Sequence, residues 1–475
     1  MKNFLHEECG VFGTYSKVNS YDAAKNCYFA LYSLQHRGQE SCGIAVNDRG
    51  LIRCHKGMGL VSQVFNDNKI KNNLGVGNIA IGHVRYSTTG NTTIENAQPL
   101  YIKHHKGPLA IAHNGNITNA SELRQKFETK GAIFHSSSDS EVIAYAITHN
   151  RLKTNSIEEA VKKTIPMLKG AFSLILMSAQ KLIVVRDPIG FRPLCIGQTE
   201  NGEIMFASES CAFSILGAKL KRDVKPGEIV VVKDGILNSD ETFCRKKPKI
   251  CIFEYVYFAR PDSEIEKNSV YKARIKSGEF LAKEHPADAD IVIGVPDSGI
   301  IAAKGFAKES KIRYCDGLIK NKYIGRSFIE PTQNIRENVV RIKLNPIKSN
   351  IEGKKIVIVD DSIVRGTTSK RIVRILKDAG AKEIHYRIAC PPFLNPCYFG
   401  TDIDSKKNLI ACKMSLKEIE RYIGADSLRY LSLKSLKKIL DLDTTDFCNG
   451  CFSGKYPQPP PKDTEKNKFD RKIEG

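Results

Sequence analysis

The sequence predicts two units in tandem, an α+β unit of stacked sheets followed by an α/β unit with a doubly wound parallel sheet. In the first half, many short strand patterns bracket a few helical ones, which is typical of stacked sheets with helices outside. In the second half, strand and helix patterns alternate from Ile291 to Cys390, as in a parallel sheet with its ligand at the strands' carboxyl ends. With 475 residues, the chain is long enough for each unit to bury its own core.

The composition narrows the class of protein. No apolar run approaches the roughly 18 residues that a membrane helix needs, and the first ten residues, MKNFLHEECG, are too short and too acidic for a signal peptide. These patterns indicate a cytoplasmic protein without a membrane partner. Fourteen cysteines scattered over so long a chain favour thiol chemistry and metal ligation over a disulfide framework.

The net charge of +21 raises the possibility of nucleic-acid binding. The lysines, however, are spread along the chain, and no basic motif interleaved with aromatic residues is present. A polyanionic small substrate and a lysine-biased composition explain the charge more simply, so no nucleic-acid partner is predicted.

The spacing of apolar residues predicts where the helices and strands of the first half lie. Tyr21–Gln35 has apolar residues at helical spacing. The capping-box patterns Ser138-x-x-Glu141 and Ser156-x-x-Glu159 predict two further helix starts. Strands are predicted at Gly10–Tyr15, Gly43–Asn47, Leu51–His55, Ile79–Val84, Leu109–Ala112, Phe172–Met177, Leu182–Arg186, Ile204–Ala207 and Ile229–Val232.

The stretch Lys355–Ser369, KIVIVDDSIVRGTTS, has the richest chemistry in the second half. Its first part is a wholly apolar run, as expected for a strand buried on both faces of a parallel sheet, and it ends in Asp360 and Asp361. A loop of small hydroxyl-bearing residues then leads into a helical pattern at Lys370–Ala379.

Such a loop presents backbone N–H groups to an anion at the helix N-terminus, where the helix dipole assists. Gly366 allows a close approach of the backbone, and Arg365 adds a cation. The two carboxylates can hold sugar hydroxyls or a hard cation such as Mg²⁺. The stretch therefore predicts a sugar-phosphate site, with an ordinary α/β turn as the alternative on composition alone.

The same stretch resembles the 5-phosphoribosyl-1-pyrophosphate (PRPP) signature of type I phosphoribosyltransferases. The resemblance implies a Mg²⁺ ion held by the two aspartates together with Ser298, which lies in the turn after the strand pattern Ile291–Val295. A simple turn serine is the alternative for that residue. The PRPP-binding residues implied are Asp360, Asp361, Ser362, Arg365, Gly366, Thr367 and Thr368.

Four segments of the first half carry unusual polar density: Cys9–Gly13, Gly82–Gly90, Ala112–Asn116 and Ser137–Glu141. Each alone has an ordinary interpretation, as an inert cysteine, a surface patch or a turn. Together and in this order they resemble the N-terminal-nucleophile glutamine amidotransferase domain, an αββα sandwich. Joined to the PRPP stretch, they resemble the family of glutamine phosphoribosylpyrophosphate amidotransferases over nearly the whole chain.

That resemblance implies that Cys9 is a nucleophile. Attack on an amide carbon requires a thiolate, and hence a base that takes the thiol proton. An α-amino group on Cys9 itself would titrate near about pH 7.7–8.0, which suits a base at neutral pH. The resemblance therefore also implies that residues 1–8 are a cleaved propeptide.

Free glutamine is a zwitterion, so its pocket needs a cation and an anion. The resemblance assigns Arg85 to the substrate carboxylate and Asp139 to its ammonium group. It assigns the Asn114 side chain and the Gly115 backbone N–H to the oxyanion hole that a tetrahedral intermediate requires. The stretch His36–Glu40 matches a family loop that lines this pocket, without an assigned role.

Lys320–Lys343 is rich in Lys, Arg, Gly and Pro and has little periodicity. It is either a solvated loop or, as the resemblance implies, a loop that closes over PRPP and excludes water. The resemblance further implies an internal ammonia channel between the two sites.

The pair Cys448-x-x-Cys451 has a spacing suited to metal or redox use. The resemblance is to an iron–sulfur subgroup of the family, which implies a [4Fe–4S] cluster held by Cys251, Cys397, Cys448 and Cys451. Cys390, seven residues before Cys397, is the competing candidate.

The first-half pattern fades near Cys244, so the expected units are 9–245 for the amidotransferase domain and 246–457 for the phosphoribosyltransferase domain. A tail at 458–475, rich in Pro, Lys and Asp, is predicted to be disordered. The expected reaction converts PRPP, glutamine and water into 5-phosphoribosylamine, pyrophosphate and glutamate, the first committed step of purine synthesis.

Two other functions fit part of the pattern. A non-catalytic PRPP-binding regulator should lack an intact nucleophile domain or the closing loop. A sugar-phosphate aminating enzyme with the same glutaminase half should lack the VDDSIVRGTTS stretch. The favoured family further implies purine nucleotides as feedback inhibitors and a homo-oligomer, either a tetramer or a dimer.

Overall fold

The structure is a computed structural model that describes residues 9–18, 21–86, 92–244, 247–321, 344–401, 403, 405–440 and 446–461. The expected propeptide, most of the expected closing loop and the end of the tail lie outside the described residues. Within the described part of the chain, no helix combines the length and the apolar character that crossing a membrane requires.

The first half contains thirteen strands and seven short or medium helices among its described residues. The strands are β1 Gly10–Tyr15, β2 Ser41–Asp48, β3 Leu51–Met58, β4 Ile79–Arg85, β5 Leu100–Ile102, β6 Leu109–Ile117, β7 Gly170–Ser178, β8 Lys181–Arg186, β9 Cys195–Gln198, β10 Ile204–Ala207, β11 Lys219–Asp223, β12 Ile229–Lys233 and β13 Ile236–Asp240. The helices are α1 Ala23–Ser33, α2 Val61–Val64, α3 Asp67–Lys69, α4 Ala120–Glu128, α5 Asp139–Leu152, α6 Ile157–Thr164 and α7 Cys211–Ser214.

These strands form two antiparallel sheets. One has seven strands in the order β11-β9-β10-β1-β4-β2-β3, and the other has six in the order β13-β12-β8-β7-β6-β5. Neighbouring residues on a strand point to opposite faces, and here both faces are covered: Val11 packs between the sheets, whereas Phe12 packs under α1. Helices α4, α5 and α6 cover the outer face of the six-stranded sheet. The result is the expected αββα sandwich.

The second half is built around a parallel sheet. Its strands are β14 Lys249–Cys251, β15 Glu264–Ile265, β16 Asn268–Ser269, β17 Ile291–Gly294, β18 Leu318–Lys320, β19 Leu344–Pro346, β20 Lys355–Asp360, β21 Glu383–Ile388, β22 Ser427–Tyr430 and β23 Asp446–Cys448. Its helices are α8 Val270–Glu284, α9 Gly299–Ser310, α10 Lys348–Ile351, α11 Thr367–Asp378, α12 Leu416–Ile423, α13 Leu433–Leu436 and α14 Gly450–Ser453.

The parallel sheet has the strand order β17-β20-β21-β22. Tyr314 forms an isolated parallel bridge with Val292 of β17. The chain after β17 therefore passes along one side of this strand, and β20 then pairs with its other side. The strand order therefore reverses at β17 and β20. Such a switch point is where an open α/β sheet leaves a crevice for a ligand.

Several local predictions were incomplete. Helix α11 begins at Thr367 rather than Lys370, because Gly366 adopts the left-handed conformation (φ 77°) directly before it. Ser138 and Ser156 cap α5 and α6 as predicted. The capping boxes are not completed, however: Glu141 accepts from the backbone of Ser136 and His135, and Glu159 from that of Asn155.

Candidate active sites and cysteine pocket

Cys9 lies beside the end of β4, because the residue after it, Gly10, pairs with Val84 on that strand. Its thiol donates a hydrogen bond to the carbonyl oxygen of Tyr86 at 3.3 Å. Burial raises the pKa of the Cys9 thiol to about 11, against a smaller opposing effect of that hydrogen bond and of nearby Arg85. The thiol is therefore protonated at neutral pH and needs a base before it can act as a nucleophile.

Asn114 and Gly115 lie within β6 rather than in a turn. The Asn114 side-chain amide donates to the Ser208 hydroxyl at 3.3 Å, and that hydroxyl also accepts from the backbone N–H of Val11 at 2.9 Å. Gly115 has φ 149°, and a Cβ there would lie 2.2 Å from the carbonyl oxygen of Ala171. Only glycine fits this position.

The two residues expected to bind glutamine are buried near Cys9. The Arg85 guanidinium donates to the Glu40 carboxylate at 2.7 Å and is 3% exposed. Asp139, at the start of α5, accepts from the backbone N–H of Ile117 at 3.0 Å. Asp139 and Arg85 both act electrostatically on the Cys9 thiol, so the three side chains share one site.

Sequence reasoning missed two residues of this site. Glu40 belongs to the His36–Glu40 stretch, which the family pattern had singled out without a role, and it is the partner of Arg85. Ser208 carried no signal of its own, since it follows an ordinary strand and connects two sheets only in the fold.

Asp360 and Asp361 stand at the carboxyl end of β20, at the switch point of the parallel sheet. The Ser298 hydroxyl, which follows the neighbouring strand β17, donates to the Asp361 carboxylate. The Tyr386 hydroxyl donates to Asp360 at 2.8 Å, a contact between adjacent strands that the sequence did not reveal. Burial raises the pKa of both carboxyls, and for Asp360 the neighbouring Asp361 charge adds to the effect.

This oxygen set fits a divalent cation. Carboxylate and hydroxyl oxygens are the donors that hard cations prefer. Two adjacent carboxyls in a buried position repel each other when both are ionised, and a divalent cation relieves that repulsion. The oxygens of Asp360, Asp361 and Ser298 therefore fit the ligand requirements of Mg²⁺.

The loop that follows Asp361 leads directly into α11. Ser362 and Arg365 are half-buried, Thr367 is exposed and Thr368 is half-buried in the first turn of the helix. A Cβ on Gly366 would lie 2.6 Å from Ile410, so glycine is required both for the left-handed backbone and for this close packing. The expected phosphate-binding residues are thus contiguous, at the same edge of the sheet as the aspartates.

The four cysteines expected to bind iron line one pocket. Strands β14 and β23 pair in parallel, which sets Cys251 directly opposite Cys448. Cys451 follows in α14, and Cys397 lies on the same pocket wall together with Phe253 and Arg192. The Cys390 thiol instead donates to the adjacent Pro391 carbonyl oxygen at 3.2 Å.

Burial raises the pKa of the Cys251 and Cys448 thiols to about 12, while the Arg192 guanidinium opposes this. Thiols so buried ionise at neutral pH only when a cation takes the protons' place. Four thiols around one pocket match the ligand set of an iron–sulfur cluster, so the residues present fit such a group.

A second group of possible metal ligands, His36, Glu209 and Cys211, fits a metal poorly. One Glu209 oxygen already accepts from Arg37 at 2.6 Å and from His36 at 2.8 Å. The other accepts from the Arg260 backbone N–H and the Ser263 hydroxyl. A cation here would have to displace a buried guanidinium, so the group is an ion-pair network.

Comparisons with known proteins match both halves of the chain. A family model described as a glutamine amidotransferase domain matches residues 83–214, and one described as a phosphoribosyl transferase domain matches residues 264–417. The amidophosphoribosyltransferase of Methanocaldococcus jannaschii is 50% identical over 464 residues, covering 94% of this chain and 97% of that protein. The one from Methanothermobacter thermautotrophicus is 47% identical, covering 97% and 96%.

Solved structures agree in fold. The glutamine PRPP amidotransferase from B. subtilis, complexed with ADP and GMP, superimposes with a TM-score of 0.89 at 44% identity, over 96% of this chain and 99% of that one. A structure described as the allosteric regulatory enzyme of purine biosynthesis gives 0.90 at 43% identity, over 98% and 100%.

Proposed function

The chain belongs to the amidophosphoribosyltransferase family, and on that premise we propose that it transfers the amide nitrogen of glutamine to PRPP. The products are 5-phosphoribosylamine, pyrophosphate and glutamate, in the first step of purine biosynthesis. One observation carries the proposal: the same chain holds a partly buried thiol beside Arg85 and Asp139 and an aspartate pair at a sheet switch point. A regulator that only binds PRPP needs the second site alone.

In the glutaminase half-reaction, Cys9 attacks the amide carbon. Its raised thiol pKa means that a base must act first, and the α-amino group of Cys9 supplies one once residues 1–8 are removed. The substrate carboxylate approaches Arg85 and its ammonium group Asp139. The Asn114 amide and the Gly115 N–H receive the developing oxyanion.

In the phosphoribosyl half-reaction, the loop from Ser362 to Thr368 receives the phosphate of PRPP at the start of α11. Asp360, Asp361 and Ser298 would hold Mg²⁺, which supplies positive charge to the departing pyrophosphate when it is bound. Lys320 lies at the edge of the same site, ion-paired with Asp297.

We propose further that the chain divides near 245/246, with residues 1–8 as a propeptide and 458–475 as a tail. The expected disorder does not hold at the start of this tail, where the Gln458 side chain accepts from the Gly170 N–H at 2.7 Å. Purine nucleotides are the proposed feedback inhibitors, which the ADP and GMP complex of the B. subtilis relative supports. The proposal also includes a homo-oligomer, a closing loop over 320–343, an ammonia channel and a cytoplasmic location.

A direct test of the function is a product balance with purified protein, PRPP, glutamine and Mg²⁺. Glutamate and pyrophosphate should form in equal amounts. Omitting PRPP should greatly slow the formation of glutamate, and omitting glutamine should greatly slow the formation of pyrophosphate. A protein that binds PRPP but releases no pyrophosphate would support the regulator instead.

Removing Arg85 should weaken glutamine binding. Losing a charge-assisted contact costs roughly 2–3 kcal/mol, which corresponds to about a 30- to 150-fold rise in glutamine KM. Arg85→Ala should also lower the melting temperature, because it leaves the Glu40 carboxylate, whose side chain is 8% exposed, without this partner. The rate of ammonia-dependent synthesis is the internal control and should be unchanged in this variant. An unchanged glutamine KM would remove Arg85 from the glutamine site.

Mg²⁺ should stabilise the protein more at about pH 8 than at about pH 5.5. The pKa of both Asp360 and Asp361 is raised in the folded state, so their protonated forms favour folding at low pH and that contribution is lost as pH rises. Protons and Mg²⁺ compete for the same oxygens, and the competition weakens with rising pH. Melting temperatures with and without Mg²⁺ at both pH values measure this. Equal gains at both pH values would contradict the metal assignment.

We propose that the chain belongs to the iron–sulfur subgroup, with a [4Fe–4S] cluster held by Cys251, Cys397, Cys448 and Cys451. Anaerobically purified protein should then be brown, with about four irons per chain. Cys397→Ser should lose iron, whereas Cys390→Ser, outside the ligand set, should keep it. If the Cys397 variant keeps its iron and the Cys390 variant loses it, Cys390 is the ligand in place of Cys397. A colourless, fully active enzyme would contradict the cluster proposal altogether.

A further inference from the structure

A fully buried arginine connects the Cys9 site to the second half of the chain. Arg37 is 1% exposed, and its Nε donates to the backbone carbonyl oxygen of Cys9 at 3.0 Å. Its two terminal nitrogens donate to Glu254 at 2.9 Å each, and one of them also donates to Glu209 at 2.6 Å. One rigid guanidinium thus holds the nucleophile's own backbone and two buried carboxylates.

The two carboxylates bring different parts of the chain to this point. Glu209 follows β10 of the seven-stranded sheet, and its second oxygen accepts from the Arg260 N–H at 2.8 Å and the Ser263 hydroxyl at 2.7 Å. Glu254 starts the turn after β14 and is 217 residues from Arg37 along the chain. The network therefore joins the amidotransferase half to residues 254–263, which come after its last strand.

The same network extends toward the cysteine pocket. Arg192, which lines that pocket, donates to Glu254 at 3.3 Å and to the carbonyl oxygen of Phe399 at 2.7 Å. Cys251, one of the pocket thiols, is three residues before Glu254. An unbroken set of contacts runs from the pocket through Arg192, Glu254 and Arg37 to Cys9.

Burying four charged side chains is costly, and stability alone would be served as well by apolar residues of similar size. A guanidinium fork, however, fixes direction as well as distance, which a single apolar contact does not. The carbonyl carbon of Cys9 is bonded directly to its Cα, so a contact that holds this carbonyl restricts the positions open to the thiol and the α-amino group of the same residue.

We propose that Arg37 is a positioning residue for the nucleophile, held in place by Glu209 and Glu254. Through this network, the rate of glutamine cleavage depends on the placement of residues 254–263 and of the cysteine pocket behind them. The inference rests on the proposed function, because it assumes that Cys9 attacks glutamine. It adds that the second half of the chain takes part in holding Cys9 ready for that attack.

The test compares Arg37→Lys and Glu254→Gln with the unaltered protein in two assays. Misplacing a reacting group by about 1 Å can cost about 100-fold, so we expect the glutamine-dependent kcat to fall by about that factor. The glutamine KM should change by less than about threefold, since the described hydrogen bonds of Arg37 go to Cys9, Glu209 and Glu254 rather than to the substrate-binding charges. Ammonia-dependent synthesis should remain within about twofold.

A double variant separates positioning from stability. Arg37→Met with Glu209→Gln removes one buried charge of each sign and leaves the Arg192–Glu254 pair balanced. Its melting temperature should recover relative to Arg37→Met alone, whereas its glutamine-dependent kcat should stay low. Recovery of both together would show that Arg37 acts only through stability and would overturn the proposal.

Arg387→Lys is the control. Arg387 is also buried, at 3% exposed, but its described hydrogen bonds go to His285, Pro286, Tyr386 and Ser427 rather than to the Arg37 network. It should lower the melting temperature and change both activities in parallel. An Arg37→Lys enzyme that behaves in this same way would overturn the proposal.

The two proposals fail differently. If the unaltered protein cleaves no glutamine while synthesising from ammonia, the glutaminase role of Cys9 fails whatever Arg37 does. If it cleaves glutamine and Arg37→Lys and Glu254→Gln cleave it equally fast, only the positioning role fails. Should Arg37→Lys not fold, the near-isosteric Glu254→Gln decides the outcome alone.

Discussion

Replacing Cys9 by alanine should lower the rate of glutamine-dependent synthesis by more than about 10⁴-fold and leave ammonia-dependent synthesis largely intact. The reason is that the thiol takes part only in releasing ammonia, whereas attack on the ribose carbon needs the site around Asp360 and Asp361. Among the described residues, the Cys9 thiol makes one hydrogen bond, to the Tyr86 carbonyl oxygen, so the change should disturb the fold little.

The measurement is pyrophosphate release with glutamine and, separately, with ammonium salt. Cys54→Ala, a change at another partly buried cysteine on β3, is the control and should retain both activities. Loss of both activities in the Cys9 variant would mean that this residue serves the fold or the PRPP site. Retention of the glutamine reaction would exclude it as the nucleophile.

Asp360→Asn and Asp361→Asn should each lower synthesis by about 100-fold or more, equally with glutamine and with ammonia. Each removes a negative charge from the site that would hold Mg²⁺ and PRPP, whatever the source of nitrogen. Because burial raises the pKa of both carboxyls, a neutral amide removes an unfavourable buried charge. The melting temperature of the metal-free variants should therefore be unchanged or higher.

Asp288→Asn is a suitable control, since this exposed carboxylate pairs with Lys355 at the opposite, amino end of the same sheet. It should keep both activities. A variant of Asp360 or Asp361 that lost only the glutamine reaction would move these residues out of the PRPP site.

The parts of this structure that depend on local sequence could be predicted. Strand β20 could be predicted because it is buried on both faces, which requires an unbroken apolar run. That run and the two aspartates after it are visible directly in the sequence. The start of α11 was placed three residues late, because the pattern of apolar residues begins only after the turn that Gly366 allows.

Contacts between distant residues could not be predicted. Glu254 meets Arg37 because the chain returns to the first half after its last strand, and no local pattern at either residue indicates this. Ser208 contacts Asn114 across the two stacked sheets of the first half, and Tyr386 contacts Asp360 from the neighbouring strand of the parallel sheet. Cys251 and Cys448 become neighbours through the pairing of two three-residue strands, too short for a periodicity to show.

The transfer of nitrogen between the two sites is the central claim, and amide-labelled [¹⁵N]glutamine tests it most directly. Incubated with PRPP and Mg²⁺, the protein should place one ¹⁵N on the ribosyl carbon of the trapped product for each pyrophosphate released. Pyrophosphate released without ¹⁵N in the sugar product, or glutamine cleaved while PRPP stays intact, would contradict it.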